Sequence, residues 1–358
     1  MLTLSVAYRF FRSSRVAFAK QKLLKVHPST GVRLSAKFGQ HLTVNPGIID
    51  TMIEAADIRS TDTVLEIGCG TGNITMRLLE IAKKVVAVEL ESRFAEETLD
   101  RAKAAGFGEK FEVIIGDAIK CKIPKFDVCV ANPPYNISAP LLFRLSSLNW
   151  RRTVLMLQKE FADRLTADPG DSEFSRLSMN AALYFRTERI QQVSGGSFYP
   201  QSAVKSMIVR LTPRYPKPSF DFREWDALMR LCFLERKRGL HAVLSKGRVL
   251  AMMEAHYKSR CSVNGLIPSL ISFPDLFLST LDEQGIARIS TKKISADTMQ
   301  KLLKAFHKKG IYFTNVAGGN THIEEQPCRS FEIDESDWLQ AAEASDDSSC
   351  EELPLNGS

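Results

Sequence analysis

The tetrapeptide Asn132-Pro133-Pro134-Tyr135 combines the groups that a transfer reaction at a planar nitrogen requires. The exocyclic amine of adenine is a poor nucleophile because its lone pair is delocalised into the ring, so a protein must hold the amine while it becomes pyramidal. The side-chain oxygen of Asn132 and a backbone carbonyl, which we assign to Pro133, can accept hydrogen bonds from the two N–H groups. Tyr135 offers a flat face on which an extruded base can stack. The motif alone leaves protein glutamine, DNA adenine and RNA adenine open as substrates.

A glycine-rich turn follows an apolar run within residues 64–73, Val-Leu-Glu-Ile-Gly-Cys-Gly-Thr-Gly-Asn. Gly68, Gly70 and Gly72 have the spacing GxGxG, whereas a turn that binds a dinucleotide favours GxGxxG and sets a helix N-terminus against the pyrophosphate. Because glycine has no side chain, the backbone here can pass close to a bulky ligand. The spacing therefore favours a roughly neutral nucleoside over a dinucleotide.

Four predicted strands end in residues that could contact such a ligand. The first ends at Gly68 and the second at Glu89, a position whose carboxylate can hold two ribose hydroxyls in open α/β sheets. The third is followed by Asp117 and Ala118, and the fourth by Asn132. Ligands bind at the carboxyl edge of a parallel sheet, so these residues are expected to share one pocket. The ligand that this order suggests is S-adenosylmethionine, whose methyl group would move in line from sulfonium to nitrogen, aided mainly by proximity.

The segment just before the first strand supplies further candidates. Gln40, His41 and Thr43 lie in a predicted loop that can fold over the same sheet edge. They are therefore predicted to complete the cofactor pocket. For His41, an ordinary exposed loop position is an equally good interpretation of the residue alone.

The spacing of apolar residues predicts alternating strands and helices up to residue 211. Strands are predicted at 64–67, 84–89, 111–115, 127–131, 153–158, 189–193 and 204–211. Helices are predicted at 47–56, 71–82, 91–104, 138–147, 160–166 and 175–185. This order predicts the α/β class, with a doubly wound, mostly parallel sheet and right-handed crossovers.

A second, smaller domain of helices is predicted after a proline-rich linker. Residues 212–218 contain three prolines in seven positions, which is typical of an interdomain linker. Helical periodicity then recurs at 223–234, 240–244, 248–257, 273–281 and 296–308. Basic side chains recur along this region and are predicted to contact RNA: Arg236, Lys237, Arg238, Lys246, Arg248, Lys258 and Arg260.

The formal net charge of +7 hides an asymmetry along the chain. Residues 321–358 contain 11 acidic residues and one basic residue, whereas residues 1–320 carry a net charge of +17. A body this basic indicates a polyanionic partner, most simply nucleic acid. The acidic, serine-rich tail after residue 326 is expected to be disordered.

The composition also bounds the class of protein. A chain of 358 residues with 44% hydrophobic content can bury two cores, and no run approaches 18 uncharged apolar residues, so no membrane span is expected. The seven cysteines show neither a CxxC pair nor a histidine at metal-ligand spacing. We expect reduced, packing cysteines, no metal site and a monomeric protein.

The N-terminal segment 1–35 is basic and free of carboxylates, since the first acidic residue of the chain is Asp50. Aromatic and aliphatic residues interleave with arginines within 8–20, a pattern that can form a basic amphipathic helix. This composition resembles an organelle import presequence, and the lack of a long apolar core disfavours a secretory signal. We therefore predict mitochondrial targeting. A basic arm that touches RNA, with import into the nucleus, is the alternative.

Four motifs occurring in this order resemble the ribosomal RNA adenine dimethyltransferase family, which comprises the bacterial KsgA-type enzymes and their eukaryotic and organellar relatives. They are Gly39-Gln40-His41, the Glu-Ile-Gly-Cys-Gly-Thr-Gly run at 66–72, the Asn132 tetrapeptide, and Ser197-Phe198-Tyr199-Pro200. The resemblance extends over residues 37–312. It implies a class I, Rossmann-like methyltransferase domain at 36–212 and a helical RNA-binding domain at 213–320, flanked by the basic segment 1–35 and the acidic tail 321–358.

The resemblance also implies roles for individual residues. S-adenosylmethionine would contact His41, Thr43, Gly68, Glu89, Asp117 and Asn132, with Asp117 facing the amine of its adenine. Phe198 would sandwich the target base against Tyr135. The family places two methyl groups on each of two adjacent adenosines in a hairpin near the 3′ end of small-subunit rRNA. We therefore predict an rRNA (adenine-N6,N6)-dimethyltransferase that acts on the mitochondrial small subunit, within a pre-ribosomal particle.

Three departures from the family pattern accompany this resemblance. Cys69 stands where the family usually has proline and Pro133 where it usually has leucine, and neither change removes a contact named above. Pro200-Gln201-Ser202 replaces a longer proline run, which bears on the placement of Phe198.

Three other functions are compatible with parts of the sequence. A nucleolar or cytosolic dimethyltransferase and ribosome-assembly factor would fit the same motifs. A protein glutamine methyltransferase shares the tetrapeptide but has less use for a basic body or for Phe198. A non-enzymatic mitochondrial transcription factor would not need the intact Asn132 and Tyr135.

Overall fold

The structure is a computed structural model that describes residues 25–26, 33–34 and 42–314. Gln40, His41, most of the basic N-terminal segment and the acidic tail lie outside the described residues. The strands are β1 (Lys25–Val26), β2 (Arg33–Leu34), β3 (Leu42–Thr43), β4 (Thr63–Ile67), β5 (Lys84–Glu89), β6 (Phe111–Ile115), β7 (Val128–Ala131), β8 (Arg152–Gln158), β9 (Phe185–Val193), β10 (Phe198–Tyr199) and β11 (Ser206–Pro213).

The helices follow the predicted alternation closely. They are α1 (Pro46–Ala56), α2 (Asn73–Ile81), α3 (Ser92–Ala104), α4 (Ser138–Ser147), α5 (Lys159–Leu165), α6 (Arg176–Tyr184), α7 (Phe222–Phe233), α8 (Leu240–Leu244), α9 (Gly247–Val263), α10 (Phe273–Glu283) and α11 (Ala296–Lys308). Within the described residues, none of these helices combines the length and apolarity that crossing a membrane requires.

The central sheet has the strand order β6-β5-β4-β7-β8-β11-β9. β4 pairs in parallel with both β5 and β7, and β5 pairs in parallel with β6. The strand order therefore runs outward from β4 through β5 and β6 toward one edge of the sheet, and then starts again at β7, the neighbour of β4 in the direction of the other edge. Such a reversal is the switch point at which open α/β sheets bind ligands. The predicted α/β class with a mostly parallel sheet is confirmed by this order.

The inner strands read as continuous apolar runs because they are buried on both faces. In β5, Val85, Val86, Ala87 and Val88 are each at most 2% exposed. β-Branched residues suit such a pleated, enclosed position, as expected for a parallel sheet covered by helices. The outer strand β9 is mostly exposed, and it begins at Phe185 rather than at the predicted residue 189. Its apolar signal is weak because so little of it is buried.

The described chain divides by packing into two compact units. From residue 42 onward, the first contains 42–138, 154–157 and 191–208, and the second contains 139–153, 158–190 and 209–314. This division differs from a boundary after residue 212 because α6 packs against α7 and α11. β11 also continues through Pro213, so the first two residues of the expected linker are strand. The predicted functional domains themselves stay a prediction.

The second unit has an aromatic core built by its helices. Trp225 is fully buried, and its Nε1 donates a hydrogen bond to Asn180 Oδ1 at 2.8 Å. Phe277 and Phe306 stack with ring centroids 4.8 Å apart. These contacts join α6, α7, α10 and α11 into one helical cluster.

The two units differ sharply in charge. The first, from residue 42 onward, has 12 lysines and arginines against 15 aspartates and glutamates, a formal charge of −3. The second has 27 lysines and arginines against 15 carboxylates, a formal charge of +12. Within the described residues, the positive charge is therefore concentrated in the second unit.

Candidate active site

The carboxyl ends of four strands meet at one cavity in the first unit. Ile67 of β4 lies opposite Ala131 of β7, so Gly68 and Asn132 follow at neighbouring positions. Glu89 lies opposite Ile115 of β6, which is followed by Gly116 and Asp117. Of the predicted site residues, the cavity is lined by Thr43, Gly68, Gly70, Glu89, Asp117, Ala118, Asn132, Pro133 and Tyr135. The structure thus brings together the strand-end residues that the sequence predicted to share a pocket.

The glycine turn after β4 needs glycine at its alternating positions. Gly68, Gly70 and Gly72 have φ values of 74°, 51° and 82°, a region that L side chains rarely adopt. A Cβ at Gly70 would lie 2.6 Å from Leu42 Cδ2. The Gly70 backbone is held on both sides, since its N–H donates to Glu89 Oε2 at 3.0 Å and its carbonyl accepts from Thr98 Oγ1 at 2.8 Å.

Glu89 is a buried carboxylate that is already engaged by backbone donors. Besides Gly70 N, the amide of Glu91 donates to Glu89 Oε1 at 3.1 Å. Burial raises the pKa of Glu89, and the hydrogen bonds from Gly70 and Glu91 oppose that rise. Each carboxylate oxygen can accept more than one hydrogen bond, so the predicted contact with ribose hydroxyls is compatible with this geometry. That contact stays a prediction.

Glu66 lies beneath the glycine turn within β4 and is 1% exposed. Its Oε2 accepts from Thr75 Oγ1 at 2.6 Å, while Oε1 has no hydrogen-bond partner among the described residues. Burial is the main reason that the pKa of Glu66 rises to about 8; the hydrogen bond from Thr75 lowers it and the charge of Glu89 raises it further. The carboxyl is therefore mainly protonated at neutral pH.

Asn132 is oriented by Thr43. The Asn132 amide nitrogen donates to Thr43 Oγ1 at 3.0 Å, and Thr43 itself is 4% exposed. Oδ1 and Nδ2 are attached to the same carbon within the amide plane, so Oδ1 points away from this hydroxyl. That Oδ1 accepts from an amine stays a prediction.

Tyr135 begins a 3₁₀ turn at Tyr135–Ile137, directly after the two prolines. Its hydroxyl lies 2.6 Å from Oγ of the buried Ser206, which anchors the far end of the ring. The Pro134 carbonyl accepts from Ile137 N at 3.1 Å within the turn, which points to Pro133 as the source of a second acceptor. The tetrapeptide therefore leads into an ordered turn with hydrogen bonds at the Tyr135 hydroxyl and the Pro134 carbonyl.

Asp117 and Phe198 occupy different positions relative to the cavity. Asp117 lines it, and its Oδ1 accepts from Ile119 N at 2.8 Å, which fixes the carboxylate. Phe198 is 3% exposed in β10, directly opposite Thr43 of β3, and is not among the lining residues. The proposed sandwich of a target base between Phe198 and Tyr135 stays a prediction.

Three residues around the cavity received no role from the sequence. Asn73 donates from Nδ2 to the carbonyl of Thr43 at 3.0 Å, and Leu90 lines the cavity while 56% exposed. Glu66 carried a signal that could have been used, since a carboxylate inside a buried apolar strand is unusual. The position of Asn73, at the first helical residue after the glycines, was a weaker signal.

The chemistry of the lining fits S-adenosylmethionine. It includes the carboxylates of Glu89, Glu91 and Asp117, and no lysine, arginine or histidine occurs among the described lining residues. Such a cavity disfavours a pyrophosphate and favours a ligand with sulfonium and ammonium groups. Glu89 and Asp117 would hold the ribose and the adenine amine, and the glycine turn would lie along the nucleoside.

The comparison with protein families decides which family this chain belongs to. A model of the family described as ribosomal RNA adenine dimethylase matches residues 31–266, which include all four strand ends and the tetrapeptide. The chain belongs to this family. Membership confirms the enzyme class, an S-adenosylmethionine-dependent rRNA adenine dimethyltransferase, and favours an RNA adenine over a protein glutamine as the acceptor.

Individual relatives of this dimethylase cover most of its length. A probable dimethyladenosine transferase of Drosophila melanogaster is 42% identical over 300 residues, covering 82% of this chain and 98% of the relative. A dimethyladenosine transferase of Yarrowia lipolytica is 39% identical over 290 residues, with coverage of 78% and 91%. The crystal structure of a dimethyladenosine transferase from Plasmodium falciparum matches with a TM-score of 0.73 at 43% identity, covering 76% of this chain and 100% of that one. The 23S rRNA methyltransferase ErmE matches in fold, with a TM-score of 0.53 at 19% identity and coverage of 74% and 99%.

Proposed function

We propose that this dimethylase places two methyl groups on each of two adjacent adenosines in the 3′-terminal hairpin of small-subunit rRNA. The observation that carries the proposal is the shared cavity, which is lined both by Asn132 and by the strand-end residue Glu89. A methyl donor held by Glu89 and an acceptor amine held by Asn132 would therefore meet in one enclosure. The relatives named dimethyladenosine transferases support the same reaction.

The chain's own residues act on the acceptor amine. When bound, S-adenosylmethionine supplies the methyl group. Asn132 Oδ1 and the Pro133 carbonyl accept from the two N–H groups, which draws the nitrogen lone pair out of conjugation and aims it at the methyl carbon. Tyr135, anchored at Ser206, holds the base by stacking on its ring. No strong base is needed for attack, because positioning supplies most of the acceleration and the proton leaves after the nitrogen has become cationic.

The second unit is proposed to hold the RNA backbone. Its formal charge of +12 contrasts with −3 for the described unit that contains the cavity. Phosphate neutralisation is sequence-independent, so this charge supplies affinity while the cavity supplies the chemistry. We further propose that the enzyme acts as a monomer on rRNA within a pre-ribosomal particle, which light scattering and cosedimentation can test.

The decisive experiment compares methyl transfer by the wild type and by Asn132→Ala, using small-subunit particles that lack the modification. Mass spectrometry of the 3′ hairpin should show dimethyladenosine at two adjacent positions only with the wild type. Loss of a single acceptor group in such a site costs about a hundredfold to a thousandfold in kcat. Wild-type activity that modifies other adenosines would overturn the choice of hairpin.

We also propose that residues 1–35 direct the protein to mitochondria. The support is the sequence alone: seven lysines and arginines with no carboxylate. A fluorescent protein fused to residues 1–35 should colocalise with mitochondria, and the same fusion with the three arginines at 9, 12 and 15 changed to glutamine should not. Accumulation of the first fusion in the nucleolus would instead support action on cytosolic pre-ribosomes.

A further inference from the structure

The short strand β3, which precedes the central sheet in the chain, makes a direct contact with the catalytic tetrapeptide. Thr43 Oγ1 accepts from Asn132 Nδ2 at 3.0 Å, across 89 residues of sequence. Thr43 is 4% exposed, so water does not compete strongly for this hydrogen bond. The bond therefore restrains the Asn132 side chain at the point where the two segments meet.

Thr43 is itself held in place from the glycine turn. Its carbonyl accepts from Asn73 Nδ2 at 3.0 Å, and Asn73 Oδ1 accepts from Arg101 Nη1 at 3.0 Å. Arginine can only donate and a carbonyl can only accept, so the orientation of the Asn73 amide is fixed from both ends. The same Arg101 nitrogen donates to the Thr71 carbonyl at 2.8 Å, which joins this chain of hydrogen bonds to the cofactor-binding turn.

A second support comes from the short ladder between β3 and β10. Thr43 pairs with Phe198, and the neighbouring Val44 N donates to the Ser197 carbonyl at 3.0 Å. The backbone of Thr43 is therefore restrained on two sides, by β10 and by Asn73. Its hydroxyl is presented to Asn132 from a fixed position.

We propose that Thr43 is a positioning residue for methyl transfer: its hydroxyl accepts from Asn132 Nδ2 and holds the Asn132 side chain in the place from which it meets the acceptor amine. This role differs from a direct contact with the cofactor, which the resemblance to the family implied for Thr43. It rests on the proposed reaction at Asn132 but not on which adenosine is modified. Arg101 and Asn73 act one step further away, by fixing the Thr43 backbone.

The test is Thr43→Val, which removes the hydroxyl at nearly constant volume, set against Thr43→Ser, which keeps it. Losing this bond removes the contact that restrains the Asn132 amide, so Thr43→Val should lower kcat by about ten- to a hundredfold. The KM for RNA and the Kd for S-adenosylmethionine, measured by calorimetry, should stay within about twofold of wild type, and Thr43→Ser should restore kcat to within about threefold. Thr51→Val removes another threonine hydroxyl, which bonds the Gly47 carbonyl at 2.9 Å on α1, and serves as the matched control.

The pairwise nature of the effect is tested by a double-mutant cycle. In an Asn132→Ala background, Thr43→Val should produce no further loss of single-turnover rate, because the group that it orients is gone. A further tenfold loss in that background would overturn the proposal, as would a Thr43→Val enzyme with wild-type kcat or one that loses only cofactor affinity. If Thr43→Val does not fold, as judged by its melting curve, Thr43→Ala takes its place in the same cycle. The rate is read on whichever RNA the wild type methylates, so an incorrect choice of hairpin would leave this test intact.

Discussion

The buried carboxyl of Glu66 predicts an unusual dependence of stability on pH. In the unfolded chain its pKa is 4.5, and in the folded protein burial raises it to about 8. Between these values the folded state keeps a proton that the unfolded state has released. The stabilising contribution of this group is therefore fully present below about pH 4.5 and is lost as pH rises toward 8.

The perturbation that exposes this effect is Glu66→Gln. Glutamine has nearly the same shape, can accept from Thr75 Oγ1 through its amide oxygen, and does not titrate. One proton of difference corresponds to about 1.4 kcal/mol per pH unit. The free energy of unfolding of the variant minus that of the wild type should therefore increase by about 2–3 kcal/mol between pH 5.5 and 7.5.

The assay is urea denaturation followed by circular dichroism at several pH values, analysed as this difference so that other titrating groups cancel. Glu112→Gln, at an exposed carboxylate paired with Lys84 at 2.6 Å, controls for the same chemical change on the surface. Parallel curves for the wild type and Glu66→Gln would refute the reasoning, since they would mean that Glu66 is ionised in the folded protein over the whole range.

Three further outcomes are expected. Gly70→Ala places a side chain at a left-handed backbone position against Leu42. It should therefore lower the free energy of unfolding, measured in urea, by about 1–2 kcal/mol and weaken S-adenosylmethionine binding, measured by calorimetry. Wild-type values for both quantities would be incompatible with the crowding. Trp225→Phe leaves Asn180 Oδ1 without its donor and should lower the free energy of unfolding, measured by urea denaturation, by about 1–3 kcal/mol. An unchanged urea midpoint would contradict a stabilising role for this hydrogen bond. RNA affinity measured by filter binding should fall steeply between about 50 and 200 mM salt, and a flat response would contradict phosphate contacts by the basic unit.

The elements that the sequence predicts well are those whose signals are local. The helix Ala296–Lys308 occurs at its predicted bounds because a serine at 295 caps it and its apolar residues keep a helical period. α9 was predicted to end at residue 257 but continues to Val263, since a run of polar residues hides its last turns. Cys261, 5% exposed, packs there and extends the helix beyond its apparent pattern.

Some features of the site could likewise be predicted from single segments of the chain, whereas others arise only from the packing of distant segments. Strand ends that carry glycine, carboxylate and amide residues could be placed at one sheet edge, because parallel strands have a common direction. The hydrogen bond between Thr43 and Asn132 could not be predicted, since it joins two segments whose approach depends on the β3–β10 ladder. The packing units could not be predicted for a related reason: α6 joins the later helices through tertiary contacts that leave no mark in its own sequence.

The charges of the two units explain how one chain can serve two ligands of opposite character. A cavity lined by Glu89, Glu91 and Asp117 attracts the cationic groups of S-adenosylmethionine but repels the phosphates of RNA. We therefore propose that RNA gains its affinity from the unit of charge +12 and that a neutral, extruded base, rather than a length of backbone, enters the cavity. Discrimination against guanine and uracil then follows from acceptors alone, because the Asn132 and Pro133 oxygens pair with an amine and would repel the carbonyl that these two bases present in its place.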